Sequence, residues 1–174
     1  HESKGSPERD EADAIDASRY GANLDGVGIT VVEASVRSVS IETITGEAPS
    51  QDEHLVLKLQ IANMSEAKKL DYRTWRDGDW IGDAARLRDD HGNSYRRINF
   101  GIGSHPVDGV RRSESVYPGD VVFDLLVFEK PVDAAEWLLL ELPGENVNEE
   151  GSVRFRIPMG LSLIHISEPT RPNE

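Results

Sequence analysis

The residues best equipped for recognition lie together in DYRTWRDGDWIGD (71–83), where Tyr72, Trp75 and Trp80 are interleaved with Arg73 and Arg76. Aromatic and arginine side chains carry binding energy when a scaffold loop presents them, and flat rings stack on sugar faces or take up a guanidinium group. These five residues form the expected contact surface, for a protein partner or a cell-surface glycan. In a competing arrangement Tyr72 and Trp75 cap the core as large apolar groups beside a strand. Trp75 suits that role best, whereas Trp80, near Asp79 and Gly82, suits the outside.

The same stretch invites a calcium reading, with Asp77 and Asp79 as oxygen ligands at loop positions one and three and Gly82 at position six. Ile81 at position five and Arg88 at position twelve remove two ligands, one of them the bidentate glutamate. Only a non-standard site, using Asp83, Asp89 or Asp90, would remain, so no metal and no other cofactor is expected. Aspartates favour turns without any metal. Catalysis finds no footing either. His54, His91 and His105 fall in a strand edge, a turn and a loop, without H-E-x-x-H spacing. No G-x-S-x-G elbow or phosphate loop is present, and in so acidic a chain any choice of a carboxylate pair is arbitrary. The expectation is a non-enzymatic protein.

Composition narrows the partners. With 32 Asp and Glu against 19 Lys and Arg in 174 residues, the formal net charge is −13, a field that repels nucleic acid and anionic lipid headgroups. There is no cysteine, hence no disulfide framework and no thiolate chemistry. No run approaches the ~20 apolar residues a membrane helix needs, so this stretch is not expected to insert in a membrane. The chain begins at His1 rather than at a methionine, which reads as a piece of a longer protein with any anchor upstream.

Strands must position the loop. In the stretch His54 to Tyr72, Leu55, Leu57, Leu59 and Ile61 alternate with His54, Val56, Lys58 and Gln60, the period of two that puts four aliphatics on one face. Val27 to Ile44 is rich in β-branched residues, with a phase slip near Arg37 and Ser38 that reads as a bulge or a switch between sheets. Residues 45–53 carry turn chemistry, and 84–98 read as a hairpin turned by Asp90, His91, Gly92 and Asn93. A long loop without a defined element is expected over 100–117. In residues 120–128 Val121, Phe123, Leu125 and Val127 form the expected apolar face, opposite Asp124. Pro131–Glu136 suits one helical turn; Trp137–Leu142, where Trp137 packs, and Ser152–Pro158 complete the set. The fold class is all-β, an antiparallel immunoglobulin-like β-sandwich of seven to eight strands with disordered termini.

Four strings then carry a resemblance: L-x-L-x-I-A-N-M-S (57–65), L-R-D-D-H-G-N-S-Y (87–95), Y-P-G-D (117–120) and V-F-E-K-P-V-D-A-A-E-W-L-L-L-E-L (127–142). Their order over 27–158 resembles the motif ladder of telokin-like, immunoglobulin-like domains of unknown function found in bacterial lipoproteins and membrane-anchored envelope proteins. The resemblance implies an extracytoplasmic module displayed on a tether, and it brings no catalytic residues. This chain departs from the pattern in DYRTWRDGDWIGD and in the 100–117 loop, where an individual function would sit.

The expected organisation is therefore an acidic, disordered linker over 1–24, an immunoglobulin-like domain over 25–160 and a non-native tail over 161–174. The linker offers only Ile15, Tyr20 and Leu24 as sizeable apolar groups. LSLIHISEPTRPNE resembles a translated sequencing-adaptor string. The leading functional expectation is a module for protein interaction or display in the cell envelope. A carbohydrate-binding sandwich using Trp and Tyr, with calcium assistance, is the alternative.

Overall fold

The computed structural model describes residues 13–77, 84–101 and 103–159. The calcium-like residues Asp79 and Asp83, Trp80, the tail over 161–174 and residues 1–12 of the linker lie outside them. Among the described residues there are fourteen strands. The first five are β1 (Ile15–Asp16), β2 (Ala22–Leu24), β3 (Val27–Arg37), β4 (Ser40–Thr43) and β5 (Gly46–Pro49). Then follow β6 (His54–Asn63), β7 (Leu70–Arg73), β8 (Arg86–Asp89), β9 (Ser94–Tyr95) and β10 (His105–Pro106). The last four are β11 (Ser113–Val116), β12 (Val121–Phe128), β13 (Trp137–Pro143) and β14 (Ser152–Pro158). Two 3₁₀ turns, Trp75–Asp77 and Gly144–Val147, complete the elements. The described residues are mostly β and almost wholly antiparallel, but they form fourteen strands where seven or eight were expected, because several hold only two to four residues.

The strict alternation in β6 does what period two demands: Leu55, Leu57, Leu59 and Ile61 are all buried. β6 is bonded on both sides, in a four-stranded sheet of order β12-β6-β3-β2. A five-stranded sheet runs β1-β14-β13-β8-β9, and smaller sheets run β10-β4-β5 and β11-β7. Side chains from both main sheets, among them Ile29, Leu57, Leu59, Leu138, Leu140 and Phe155, meet Tyr72 and Trp75 in one hydrophobic core. Each such aliphatic side chain contributes about 1.5–3 kcal/mol through burial.

Several expectations are corrected. The linker expected over 1–24 does not extend through 13–24: Ile15 and Asp16 pair in parallel with Phe155 and Arg156, Ala17 is fully buried, and β2 pairs with β3. Backbone pairing and small buried alanines hold this segment, so its shortage of large apolar groups was misleading. In 45–53, Gly46–Pro49 is a strand, since its backbone bonds to β4 whatever its side chains. The 100–117 loop contains β10 and β11. Pro131–Glu136 holds a hydrogen-bonded turn, Ala135 N–H to Val132 C=O at 3.1 Å, and no helix. The chain does change sheets between β3 and β4, while the bulge lies earlier, between Val31 and Glu33.

The largest correction concerns β12. Its sequence VVFDLLVF is apolar in both phases, and the phase that faces the core at its start is Val122, Asp124, Leu126 and Phe128, with Val121 and Phe123 outside. Leu125 and Val127 are covered on the outer face by a second small cluster with Val39 and Val56.

Candidate functional site

Three of the five expected contact residues are buried. Tyr72 and Trp75 have no exposed surface, and Arg76 is 7% exposed. The two rings meet edge to face at 5.2 Å, and Trp75 Nε1 donates to the Pro143 carbonyl at 2.8 Å. Arg76 donates from Nη2 to the carbonyls of Val110 (2.8 Å) and Arg111 (3.0 Å). Arg73 stays on the surface, with its guanidinium 3.3 Å from the Glu145 carbonyl. A sugar-stacking surface needs accessible ring faces, and Tyr72 and Trp75 offer none.

What these residues surround is Asp124, fully buried on the core side of β12. Its Oδ2 accepts from the Tyr72 hydroxyl (2.5 Å) and the Thr74 hydroxyl (2.6 Å), and its Oδ1 from the N–H groups of Val110 (2.9 Å) and Leu125 (2.8 Å). Arg76 Nη1 stands 3.7 Å from Oδ1. Burial pushes the Asp124 carboxyl upward while the hydroxyl donors and Arg76 pull it down, and the net direction is up. Burial, and then the Asp124 charge, push the Tyr72 hydroxyl well above its ordinary range. Gly109 is required here: a Cβ would come 2.9 Å from Arg76 Nη1 and 3.1 Å from Asp124 Oδ1. A carboxylate with four donors and a guanidinium has little left for a substrate. It ties β7, the 3₁₀ turn and residues 109–111 to β12.

The motifs behind the family resemblance are also spent on structure. Asp89 Oδ1 accepts from the backbone N–H groups of His91 (2.9 Å) and Asn93 (3.0 Å), and Oδ2 from Asn93 Nδ2 (2.8 Å) and the Tyr95 hydroxyl (2.6 Å). Gly92 supplies the positive φ, 83°, that this turn needs. The turn then docks on the string 127–142: Asp90 Oδ1 accepts from the Glu136 N–H at 2.9 Å, and the Tyr95 hydroxyl oxygen from the Val132 N–H at 3.1 Å. Likewise the side-chain amide of Asn63 in the N-M-S string donates to the carbonyls of Lys68 (2.7 Å) and Val116 (2.8 Å), and the Asn63 backbone carbonyl accepts from the N–H of Gly119 in Y-P-G-D at 2.9 Å.

Desolvation opposes ionisation of Asp89, but its four donors outweigh it and hold the carboxyl at about 2. A lowered acid stabilises the fold above the ordinary carboxylate range near 3.9, and that contribution is lost as the pH falls towards 2. Asp89→Asn should therefore cost about 1–2 kcal/mol at pH 7, allowing for solvent screening, with the gap to wild type narrowing as the pH drops below 4. Urea unfolding at pH 7, 4 and 3 reads this directly, and a gap independent of pH would contradict it.

Turning Asp124 inward forces its neighbours outward, because strand side chains alternate. Val121 and Phe123 are 46% and 42% exposed on the outer face. Ala62 stands opposite Val121 and Gln60 opposite Phe123, with Lys58 Nζ 5.1 Å from the centre of the Phe123 ring. Met64, 52% exposed, lies over Gly28, where a Cβ would come 3.1 Å from its sulfur. These side chains make an uncovered apolar strip. β12 is also the border strand of its sheet. Its ladder begins with Asn63 N–H to Asp120 C=O, so by antiparallel alternation the backbone groups of Val121 and Phe123 face away from β6. No backbone partner meets them among the described residues, whereas Val127 C=O accepts from the Ile98 N–H at 2.9 Å.

Nothing in the linear pattern singled out Asp124 or this strip. The signal was one aspartate in an otherwise apolar eight-residue strand, which must either face water or be paired. Among the described residues no group of three or more His, Asp or Glu side chains could hold a metal ion. No helix among them is long and apolar enough to cross a membrane.

No protein-family model matches the chain, and no curated protein does. Among solved structures, the yjhA protein from Bacillus subtilis superposes with a TM-score of 0.51 at 13% sequence identity, over 79% of this chain and 96% of that one. At that identity the likeness speaks to the fold alone.

Proposed function

We propose that the chain is a non-enzymatic, extracytoplasmic immunoglobulin-like module that binds a protein partner through the outer face and free edge of β12. Two main sheets sharing one core support the sandwich reading, and the motif ladder supports an envelope-displayed module. The observation that carries the contact surface is the strip of Val121, Phe123 and Met64 beside unbonded backbone groups. Apolar side chains next to an open strand edge are the chemistry that receives an extended segment: its backbone adds to the sheet, and alternate side chains settle on the strip. Proteins ordinarily blunt such an edge with lysine, proline or a bulge, and V-V-F carries none of these.

A photo-crosslinking side chain at position 123, compared with one at Ile44, which is 89% exposed at the tip of the β4–β5 hairpin, tests this in source cells. A discrete adduct from position 123, absent from position 44 and removed by Val121→Asp, is expected. Equal labelling from both positions, or none from 123, would refute the assignment.

A further inference from the structure

The apolar strip on β12 begins among carboxylates. Asp120, which is exposed, directly precedes Val121. Its backbone carbonyl accepts from the Asn63 N–H at 3.0 Å, and the next residue, Met64, donates its N–H to the Gly26 carbonyl at 2.8 Å. These bonds bring the β2–β3 turn, with exposed Asp25, and the loop after Met64, with exposed Glu66, to the same end of the sheet as Val121. None of the three carboxylates is in an ion pair among the described residues. In that loop Lys69 Nζ lies 3.2 Å from Asp71, which leaves Lys68 to balance three acids.

The other end of the strip is close to neutral. Lys58, over the Phe123 ring, stands opposite Glu33, whose carboxylate accepts from Arg37 Nε at 3.0 Å. At physiological ionic strength, charges more than about 8 Å apart are largely screened. The sign a docked segment meets is therefore set at the strip itself, and it agrees there with the chain's net charge of −13.

We infer that the segment received by β12 is basic as well as apolar. It is an extended strand whose alternate side chains settle on Val121 and Phe123, with a lysine or arginine alongside Asp120, just beyond the residue that meets Val121. The inference rests on the contact surface proposed above and adds the partner's charge to it. Opposite charges at a rim speed association and reject wrong partners, and any one exposed pair changes affinity only a few-fold. A second copy of this chain fits worse, because it brings the same carboxylates and a further −13 to the edge.

The test uses two capped heptapeptides, KVTVTVK and EVTVTVE, titrated into the full chain and read by its amide chemical shifts. They share the alternating apolar pattern and differ only in the sign of their ends. The basic peptide should give saturable shifts over 60–64 and 120–124 and bind about tenfold tighter than the acidic one, a gap that shrinks as salt is raised. Asp120→Asn should weaken the basic peptide about threefold, whereas Asp52→Asn, exposed before the far end of β6, should leave it unchanged. An acidic peptide that binds as tightly, an Asp120→Asn variant that binds as wild type, or dimerisation of the chain alone in sedimentation would overturn the inference. A discrete crosslink from position 123 with neither peptide bound would remove the basic segment and keep the contact surface, while loss of that crosslink would remove the surface itself.

Discussion

Asp124→Leu will destabilise the fold by about 3–5 kcal/mol, because it removes one member of the buried pair that Asp124 forms with Arg76. The change also deprives four donors of their acceptor: the hydroxyls of Tyr72 and Thr74 and the N–H groups of Val110 and Leu125. Urea unfolding measures the loss. Replacing Arg76 by methionine in the same chain should recover part of it, since a buried ion pair exchanged for apolar groups of similar volume is often close to neutral. A single variant within 0.5 kcal/mol of wild type would mean that the cluster is solvated, and that β12 faces the other way.

Trp75→Ala should cost a similar amount, about 3–5 kcal/mol, through the cavity left by a large buried side chain. Trp75 has no exposed surface, packs on Tyr72 and holds the Pro143 carbonyl. The same substitution separates the two roles this residue could have. On a contact loop, Trp75→Ala would leave stability within about 0.5 kcal/mol and weaken only binding. As a core residue, it should move the unfolding midpoint strongly and leave crosslinking from position 123 intact in whatever fraction remains folded.

How far these elements could be read from the chain depended on whether the deciding partner was near or far in sequence. β6 was legible because Leu55, Leu57, Leu59 and Ile61 alternate strictly with residues that prefer the other face. The turn at Asp89–Tyr95 was legible because its acceptor and donors lie within six residues of one another. β12 was not: V-V-F-D-L-L-V-F offers apolar residues to both faces, and its phase is set by Tyr72 and Thr74, about fifty residues earlier. The same distance hid the places of Tyr72 and Arg76. Large apolar character beside a strand already pointed Trp75 at the core, but charged neighbours left Tyr72 and Arg76 on the expected contact surface, because their partners, Asp124 and Val110, come from other elements. β1 was invisible because two residues carry no period, and its pairing partners Phe155 and Arg156 lie near the other end of the described fold.

The start of β12 turns Asp124 towards the core and leaves Val121 and Phe123 on the exposed outer face. The natural absence of cysteine allows a direct test, in which single cysteines placed at 121, 122, 123 and 126 are labelled with a maleimide under native conditions. Val121→Cys and Phe123→Cys should react readily, and Val122→Cys and Leu126→Cys should stay protected until the chain unfolds. Protection at 121 and 123 with ready labelling at 122 and 126 would contradict the account.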